Sequence, residues 1–418
     1  MEMAEPGLCR LLVDCLKRGG PAVEAARLSG LTQEDRQAFL ALAAAQRVRP
    51  LLWHRLTQKG LCDAVPAEAA EALRNASLRN TMSNLRLYGE LRRLLFALKR
   101  EGIPLILLKG IYLADALYGD IGLREMHDID VLARPADLTR VADILMNMGY
   151  IPEQPIDADI TINADHHLPT LVKKGCGSFE VHWNLTRSGD SYNIDPVGLW
   201  ERSMPVHIAG CDAMALSPED LLLHLCMHVS YQHRFAFGLR PLCDIAETIA
   251  RFGPTLDWQV IIERAGLWGW QRGVYLALQL ARELAGADVP AGIMEKLRPA
   301  DMTEDVLEIA CAQVFTDKNL VYSIPTPFAE LLQSRGLWDK NRIFWERVFL
   351  PKAIIAAQYS VPADSARIYG CYLRRFVDVL RRHGHTMTQY RRDEQVKAVV
   401  ERTSRIACWL SGQAISRK

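Results

Sequence analysis

Several features that mark particular classes of protein are missing from this sequence of 418 residues. Its ten cysteines include no CxxC pair and follow no regular spacing, which is typical of reduced, mostly buried thiols in a cytosolic protein. No uninterrupted apolar run approaches the roughly 18 residues that a membrane-spanning helix needs. The first ten residues carry acidic side chains before any apolar run, unlike a secretory signal. We therefore expect a soluble, cytoplasmic protein with no membrane partner.

A strong net charge is also missing, since 50 lysines and arginines face 49 aspartates and glutamates. A formal net charge of +1 creates no global field that would attract nucleic acid, and we expect no nucleic-acid partner. The charge is uneven, however, because residues 367–418 hold twelve basic and four acidic side chains. This basic segment is either a solvated helix face or a docking surface for an anionic partner, such as RNA or an acidic protein.

The hydrophobic pattern divides the chain into three parts, which agrees with the two to three domains expected at this length. Residues 1–100 show helical periodicity. Residues 101–216 mix strands and helices, and residues 217–418 are again mainly helical. The sequence therefore predicts an α+β fold, with a small mixed β-sheet domain embedded between helical N-terminal and C-terminal regions.

Short apolar runs in the middle part predict the strands of that sheet. The first, Ile103–Leu108, leads through a Lys-Gly turn into a helix, and the second is Asp128–Ala133. Alternating runs at His167–Val172 and Phe179–Leu185 predict a hairpin. A second, smaller hairpin is predicted over Met204–Leu216.

Two of these strands carry acidic side chains. Residues i and i+2 of a strand point to the same face, so Asp128 and Asp130 project together while Ile129 enters the core. Glu180 and His182 repeat this arrangement on the later strand. Carboxylate oxygens are the ligands that Mg²⁺ prefers, and Mn²⁺ accepts them too. The pattern therefore predicts a divalent-cation site that could hold a phosphate chain.

Four motifs, in order along the chain, resemble one bacterial family. They are LLKG, an arginine four residues before DIDVL, FEVHWNL, and LSPEDLLLHLCMH. Together they resemble the bacterial "uncharacterised nucleotidyltransferase" family, which belongs to the DNA polymerase beta-like nucleotidyltransferase superfamily. The resemblance extends from Gln46 to Ile249, more than half of the chain.

In that superfamily a glycine turn precedes a D-x-[DE] strand, and a later strand carries a third carboxylate. The resemblance implies a nucleotidyltransferase-type sheet with Gly110 at the turn. It also implies that Asp128 and Asp130 are the metal pair, and that Glu180 is the third acid, as metal ligand or general base. His182 is expected to orient Glu180 or to contact the nucleotide. The turn here has no hydroxyl, whereas Gly-Gly or Gly-Ser is usual.

Two cations beside the turn are candidate ligands of the triphosphate. Lys109 would supply the missing phosphate contact as a point charge, or else it is a lysine that extends its ammonium from a strand end. Arg124 would hold the triphosphate through two parallel hydrogen bonds, or else it forms a structural ion pair with Asp128 or Asp120.

Other polar residues have less specific spacing. His224 and His228 stand four apart with His233 following, but no HExxH motif or cysteine supports zinc, so we expect them to pack or to line the cleft. The neighbouring pair His166 and His167 can also reach the cleft. Arg240 and Asp244 are predicted to form an ion pair. The roles of Asn75, Asn80 and Asn84, which form a stripe on one helix, are open.

The sequence supports two hypotheses on function. The first is an enzyme that moves a nucleoside monophosphate from an NTP to an unidentified small-molecule or protein acceptor, by in-line displacement with two divalent ions. The second is a catalytically degenerate relative that binds or regulates a partner. A kinase-like phosphotransferase is not favoured, because the sequence has neither a Walker loop nor the protein-kinase motifs.

Overall fold

A computed structural model describes most of the chain. The described residues are 6–19, 23–154, 156, 165–187, 192, 194–317, 320, 345, 348–350, 352–359, 361–362 and 364–412. The α-helices of this part are α1 Pro6–Leu16, α2 Ala25–Ser29, α3 Gln33–Ala45, α4 Arg49–Gln58, α5 Ala67–Glu101, α6 Lys109–Ala116, α7 Leu138–Asn147, α8 Pro196–Glu201, α9 Pro218–Met227, α10 Arg240–Phe252, α11 Trp258–Leu267, α12 Gln271–Leu280, α13 Ala291–Leu297, α14 Glu304–Val314, α15 Lys352–Tyr359, α16 Arg367–Arg392 and α17 Glu394–Leu410.

The described strands form one mixed sheet. They are β1 Ile106–Leu107, β2 Asp128–Leu132, β3 Ile151–Pro152, β4 Leu171–Lys173, β5 Gly177–His182, β6 Met204–Ile208 and β7 Cys211–Ala215. Their order across the sheet is β3-β4-β5-β2-β1-β7-β6. Strand β2 runs parallel to β5 and antiparallel to β1, and β1 runs parallel to β7. The predicted α+β fold class, a mixed sheet between helical regions, is confirmed.

Both predicted hairpins are present, as β4–β5 and β6–β7, and they belong to the same sheet. The first predicted strand is shorter than expected, because only Ile106 and Leu107 pair with β2 and β7. The Lys-Gly turn also differs, since Lys109 already begins α6. The apolar residues of β1 and β2 are buried, so the sheet centre forms part of the core.

Two asparagines of the long helix α5 hold the loop that leads into β2. Asn80 Nδ2 donates to the carbonyl of Gly122 at 2.7 Å. Asn84 Nδ2 donates to the carbonyls of Ile121 and Arg124, and Asn84 is fully buried. These two members of the predicted stripe are therefore structural, and they fix the loop from which Arg124 projects.

Contacts also join the N-terminal helices to the C-terminal half of the chain. Gln46 Oε1 accepts a hydrogen bond from the backbone N–H of Leu239 at 2.8 Å. Glu247 of α10 forms ion pairs with Arg18 and Arg55. The division of the chain at residues 100 and 216 stays a prediction.

The C-terminal basic segment contains α16 and α17, and its role as a docking surface stays a prediction. All ten cysteines are free thiols, but only three are buried and seven are half-buried, fewer buried than expected. Among the described residues, no helix is both long and apolar enough to cross a membrane.

We expect Asn84→Ala to lower the free energy of unfolding by about 1–3 kcal/mol, because two buried carbonyls lose their hydrogen-bond donor. Chemical denaturation measures this change. Asn75→Ala, at an exposed position of the same helix, should change it by less than about 0.5 kcal/mol. Equal changes in the two variants would show that the loop does not depend on Asn84.

Candidate active site

A cavity of about 650 Å³ is lined by residues of β2, β5 and α6. The seven residues that the sequence predicted for the site all line it: Lys109, Gly110, Arg124, Asp128, Asp130, Glu180 and His182. The residues 227–240 form another wall, which sequence reasoning did not predict as a unit. The structure therefore brings the predicted site residues to one place.

The carboxylates meet because β2 and β5 are parallel neighbours. Their register places Asp130 directly beside Glu180. His182, two residues further along β5, puts Nε2 at 3.2 Å from Asp130 Oδ1 and at 3.5 Å from Glu180 Oε2. Asp128 lines the same cavity at the start of β2. Asp130 is only 3% exposed, so it is not a solvated strand end.

Lys109 supplies a positive charge to this group. Its Nζ donates to Asp130 Oδ1 at 2.8 Å, and its side chain is largely buried. The backbone of Lys109 has φ of +42°, a left-handed conformation that is uncommon and strained for a residue other than glycine. The ammonium therefore serves as counter-ion of a carboxylate, and neither of the two predicted roles describes this contact.

The buried charges shift the pKa of both aspartates, in opposite directions. Burial alone would raise the pKa of Asp130, but Lys109 and His182 outweigh it and hold that pKa well below its usual range. Burial, followed by the carboxylates of Asp130 and Glu180, raises the pKa of Asp128. Lys109 and His182 thus compensate the negative charge of Asp130 more completely than Lys109 and Arg240 compensate that of Asp128.

The donor set suits a divalent cation. Asp130, Glu180 and His182 each offer a ligand atom, and these atoms lie within 4.8 Å of one another. Carboxylate oxygens fit Mg²⁺, and the added imidazole nitrogen suits Mn²⁺ as well. Burial is the main cause of the raised pKa of Asp128, the neighbouring carboxylates add to it, and a bound cation would lower that pKa. The residues present therefore fit the metal that the sequence motifs imply.

Arg124 has a different partner from the two that the sequence suggested. Its Nε and Nη2 donate to the two carboxylate oxygens of Asp244, each at 2.8 Å, and Tyr118 donates to the same carboxylate. Ion pairs of Arg124 with Asp128 or Asp120 are therefore wrong. The predicted pair of Arg240 with Asp244 is also wrong.

Arg124 approaches position 110 so closely that a glycine is needed there. A Cβ on Gly110 would stand 2.5 Å from Arg124 Nη1 and 3.3 Å from the side chain of Met126. Because Asp244 holds the guanidinium, the arginine has little freedom to move aside. Only glycine leaves room here for Nη1 beside the first turn of α6.

Histidines line the cavity beyond the carboxylates. His166 and His167 are present, as the sequence suggested, and His167 forms an isolated β-bridge with His182. His228 and His233 also line it, with their Nε2 atoms 3.1 Å apart. Among the described residues, the histidines at 224, 228 and 233 do not form a group that could hold a metal ion. The prediction that these histidines pack or line the cleft is confirmed, since His228 and His233 line it and His224 is buried.

The wall formed by residues 227–240 was not predicted as a unit, because its backbone is irregular. Helix α9 passes into a π-helix at His228–Gln232, where helical periodicity alone predicts a continuous α-helix. Arg234 and Phe235 follow with positive φ of 47° and 63°. The wall also brings Tyr231 and Phe237 into the cavity. The pattern of histidines and aromatic residues in this stretch was the available signal.

Comparisons with known proteins give one family and one solved structure. A sequence model of a family described as "Uncharacterised nucleotidyltransferase" matches residues 32–286. The solution structure of the antibiotic-resistance factor ANT(2'')-Ia is similar at 14% identity, over 47% of this chain and 96% of that chain, with a TM-score of 0.32. No curated protein matches the sequence.

We expect Lys109→Met to lower the free energy of unfolding by about 3 kcal/mol at neutral pH, because the buried carboxylate of Asp130 loses its nearest cation. The stability that Asp130 contributes is present above its unfolded pKa and is lost as the pH falls through its lowered folded pKa. The difference between wild type and variant should therefore shrink in the acid range.

Denaturation in EDTA at several pH values measures this difference. Lys99→Met is the matched control, because Lys99 pairs with Asp212 on the surface, and we expect no measurable change there. A difference that stays constant with pH would contradict the assigned cause.

Proposed function

The chain belongs to the uncharacterised nucleotidyltransferase family, and from this premise we propose that it moves a nucleoside monophosphate from an NTP to a hydroxyl or similar nucleophile. The acceptor is a small molecule or a protein. The observation that carries the proposal is the register of β2 and β5, which places Asp130 beside Glu180 in a cavity that Asp128 also lines.

In this proposal Asp128, Asp130 and Glu180 hold Mg²⁺ or Mn²⁺. A bound divalent ion supplies positive charge to the phosphate oxygens and to the attacking and leaving oxygens. Lys109 and His182 contact Asp130 Oδ1 and fix the direction of that carboxylate. Their hydrogen bonds preorganise the ligand before substrate arrives, which lowers the reorganisation needed during the reaction.

Glu180 and Asp130 differ in exposure to solvent, and we assign them different roles. The side chain of Glu180 is 29% exposed, whereas that of Asp130 is 4% exposed. Glu180 is therefore easier for an incoming acceptor to reach than Asp130. As the alternative to binding metal, we assign Glu180 the proton of the acceptor hydroxyl. The acceptor oxygen then forms a bond to the α-phosphorus, while the bond to the β-phosphate oxygen breaks and pyrophosphate leaves.

A second candidate function is favoured by one observation. Lys109 already neutralises a carboxylate that the first proposal gives to a metal. In this alternative the protein keeps the fold and binds a nucleotide or a partner without turnover. Retention of NTP binding, with no pyrophosphate release with either Mg²⁺ or Mn²⁺, would favour it.

We expect Asp128→Asn, Asp130→Asn and Glu180→Gln each to reduce pyrophosphate release from NTP by about a hundredfold or more, because several kcal/mol of transition-state stabilisation is lost. A coupled pyrophosphate assay with each NTP measures this rate, and mass spectrometry identifies the modified acceptor.

Asp212→Asn is the control, since Asp212 is exposed on the β6–β7 hairpin and should leave the rate unchanged. The enzymatic proposal fails if the wild type releases no pyrophosphate from any NTP, or if the site variants release it as fast as the wild type.

A further inference from the structure

Arginines from three distant parts of the chain lie near one another, and one of them, Arg124, closely approaches Gly110. Arg124 precedes β2, Arg240 begins α10, and Arg47 lies between α3 and α4. The guanidinium carbons of Arg47 and Arg240 lie over the ring of Phe237, at 5.6 Å and 5.3 Å from its centroid. The ring fixes the position of both cations.

Arg240 has hydrogen-bonding capacity that the protein does not use. It is 8% exposed and lines the cavity. Its Nη1 donates to the carbonyl of Glu125, while its Nε is buried without a hydrogen-bond partner among the described residues. A guanidinium offers five N–H donors, and a buried donor left unpaired is costly. Such a group is suited to receive a multivalent anion.

Positive charge at this place is only partly balanced. Asp244 neutralises Arg124 through the two hydrogen bonds described above. Burial lowers the pKa of Arg240, and repulsion from Arg124 and Arg47 helps to bring it to about 10. Burial is the larger cause, and an anion bound beside Arg240 would raise this pKa.

The first turn of α6 adds further donors. Its N-cap residue is Leu108, whose side chain cannot accept a hydrogen bond, so the first N–H groups of the helix have no side-chain cap. Arg124 Nη1 lies against this turn, in the space that Gly110 leaves open. Helix N-termini and guanidinium groups both favour phosphate oxygens.

We propose that Arg240 and Arg124 Nη1, together with the first turn of α6, form an anion subsite for the β- and γ-phosphates of the nucleotide, with Arg47 adding to its positive potential. The identity of the anion rests on the proposed function. In this proposal Arg240 supplies the phosphate contact for which the Lys-Gly turn has no hydroxyl. Lys109 is not part of the subsite, because its ammonium already donates to Asp130.

Inorganic tripolyphosphate in EDTA is the probe, because it tests the subsite without metal, nucleoside or acceptor. Calorimetry with the full chain should detect binding to the wild type. Arg240→Gln should weaken it by about tenfold or more, because charge-assisted hydrogen bonds are lost. Arg47→Gln, at a half-buried turn, should weaken it by about threefold, because it removes only a nearby charge.

Arg251→Gln is the matched control, since it removes one exposed charge from the far end of the same helix, and binding should change by less than about twofold. If Arg240→Gln does not fold, Arg240→Lys decides, because it keeps the charge but loses the planar fork. Weaker binding by Arg240→Lys supports the subsite, and wild-type affinity overturns it.

The subsite is also overturned if the wild type does not bind tripolyphosphate, or if Arg240→Gln and Arg251→Gln weaken binding equally. Failure of the proposed function looks different. A chain that binds tripolyphosphate through Arg240 but never releases pyrophosphate from NTP keeps the anion subsite and loses the enzymatic proposal.

Discussion

Like charges gathered in a small space repel one another, and the parallel pairing of β2 and β5 creates this situation. The pairing places Asp130 beside Glu180, with Asp128 at the start of the same strand. Burial makes the repulsion stronger, because the interior screens charge poorly. The surroundings respond with a lysine and a histidine at Asp130, while Asp128 keeps a raised pKa. Because the charge of Asp128 is compensated less than that of Asp130, a cation bound in the cavity would stabilise the ionised form of Asp128.

The cavity also contains positively charged side chains, in addition to the carboxylates. Arg240 and Arg124 also line the cavity, and each is held by a partner that is not a substrate. The carboxylate oxygens can bind a cation, and the guanidinium groups can bind an anion. Together they match the charge pattern of a metal-bound polyphosphate. The charge pattern therefore agrees with the NTP substrate that we propose.

Local patterns allowed much of this site to be predicted. The two-residue period of strands was enough to place Asp128 with Asp130, and Glu180 with His182. Long-range partners were not accessible in this way. Asp244 lies 120 residues from Arg124, and no local pattern announces such a pair. The π-helix at His228–Gln232 was missed for another reason, since its apolar spacing continues that of the preceding α-helix.

The bond between Arg124 and Asp244 also has a consequence for the order of events during synthesis. A ribosome adds roughly 5–20 residues per second, so Asp244 is made about 6–24 s after Arg124. During that interval the guanidinium has no carboxylate to hold it beside Gly110, and α10 has yet to bring Arg240. The nascent chain can pair β2 with β5 well before Arg124 and Arg240 take their places in the cavity. The cavity is thereby incomplete until more than half of the polypeptide has been made.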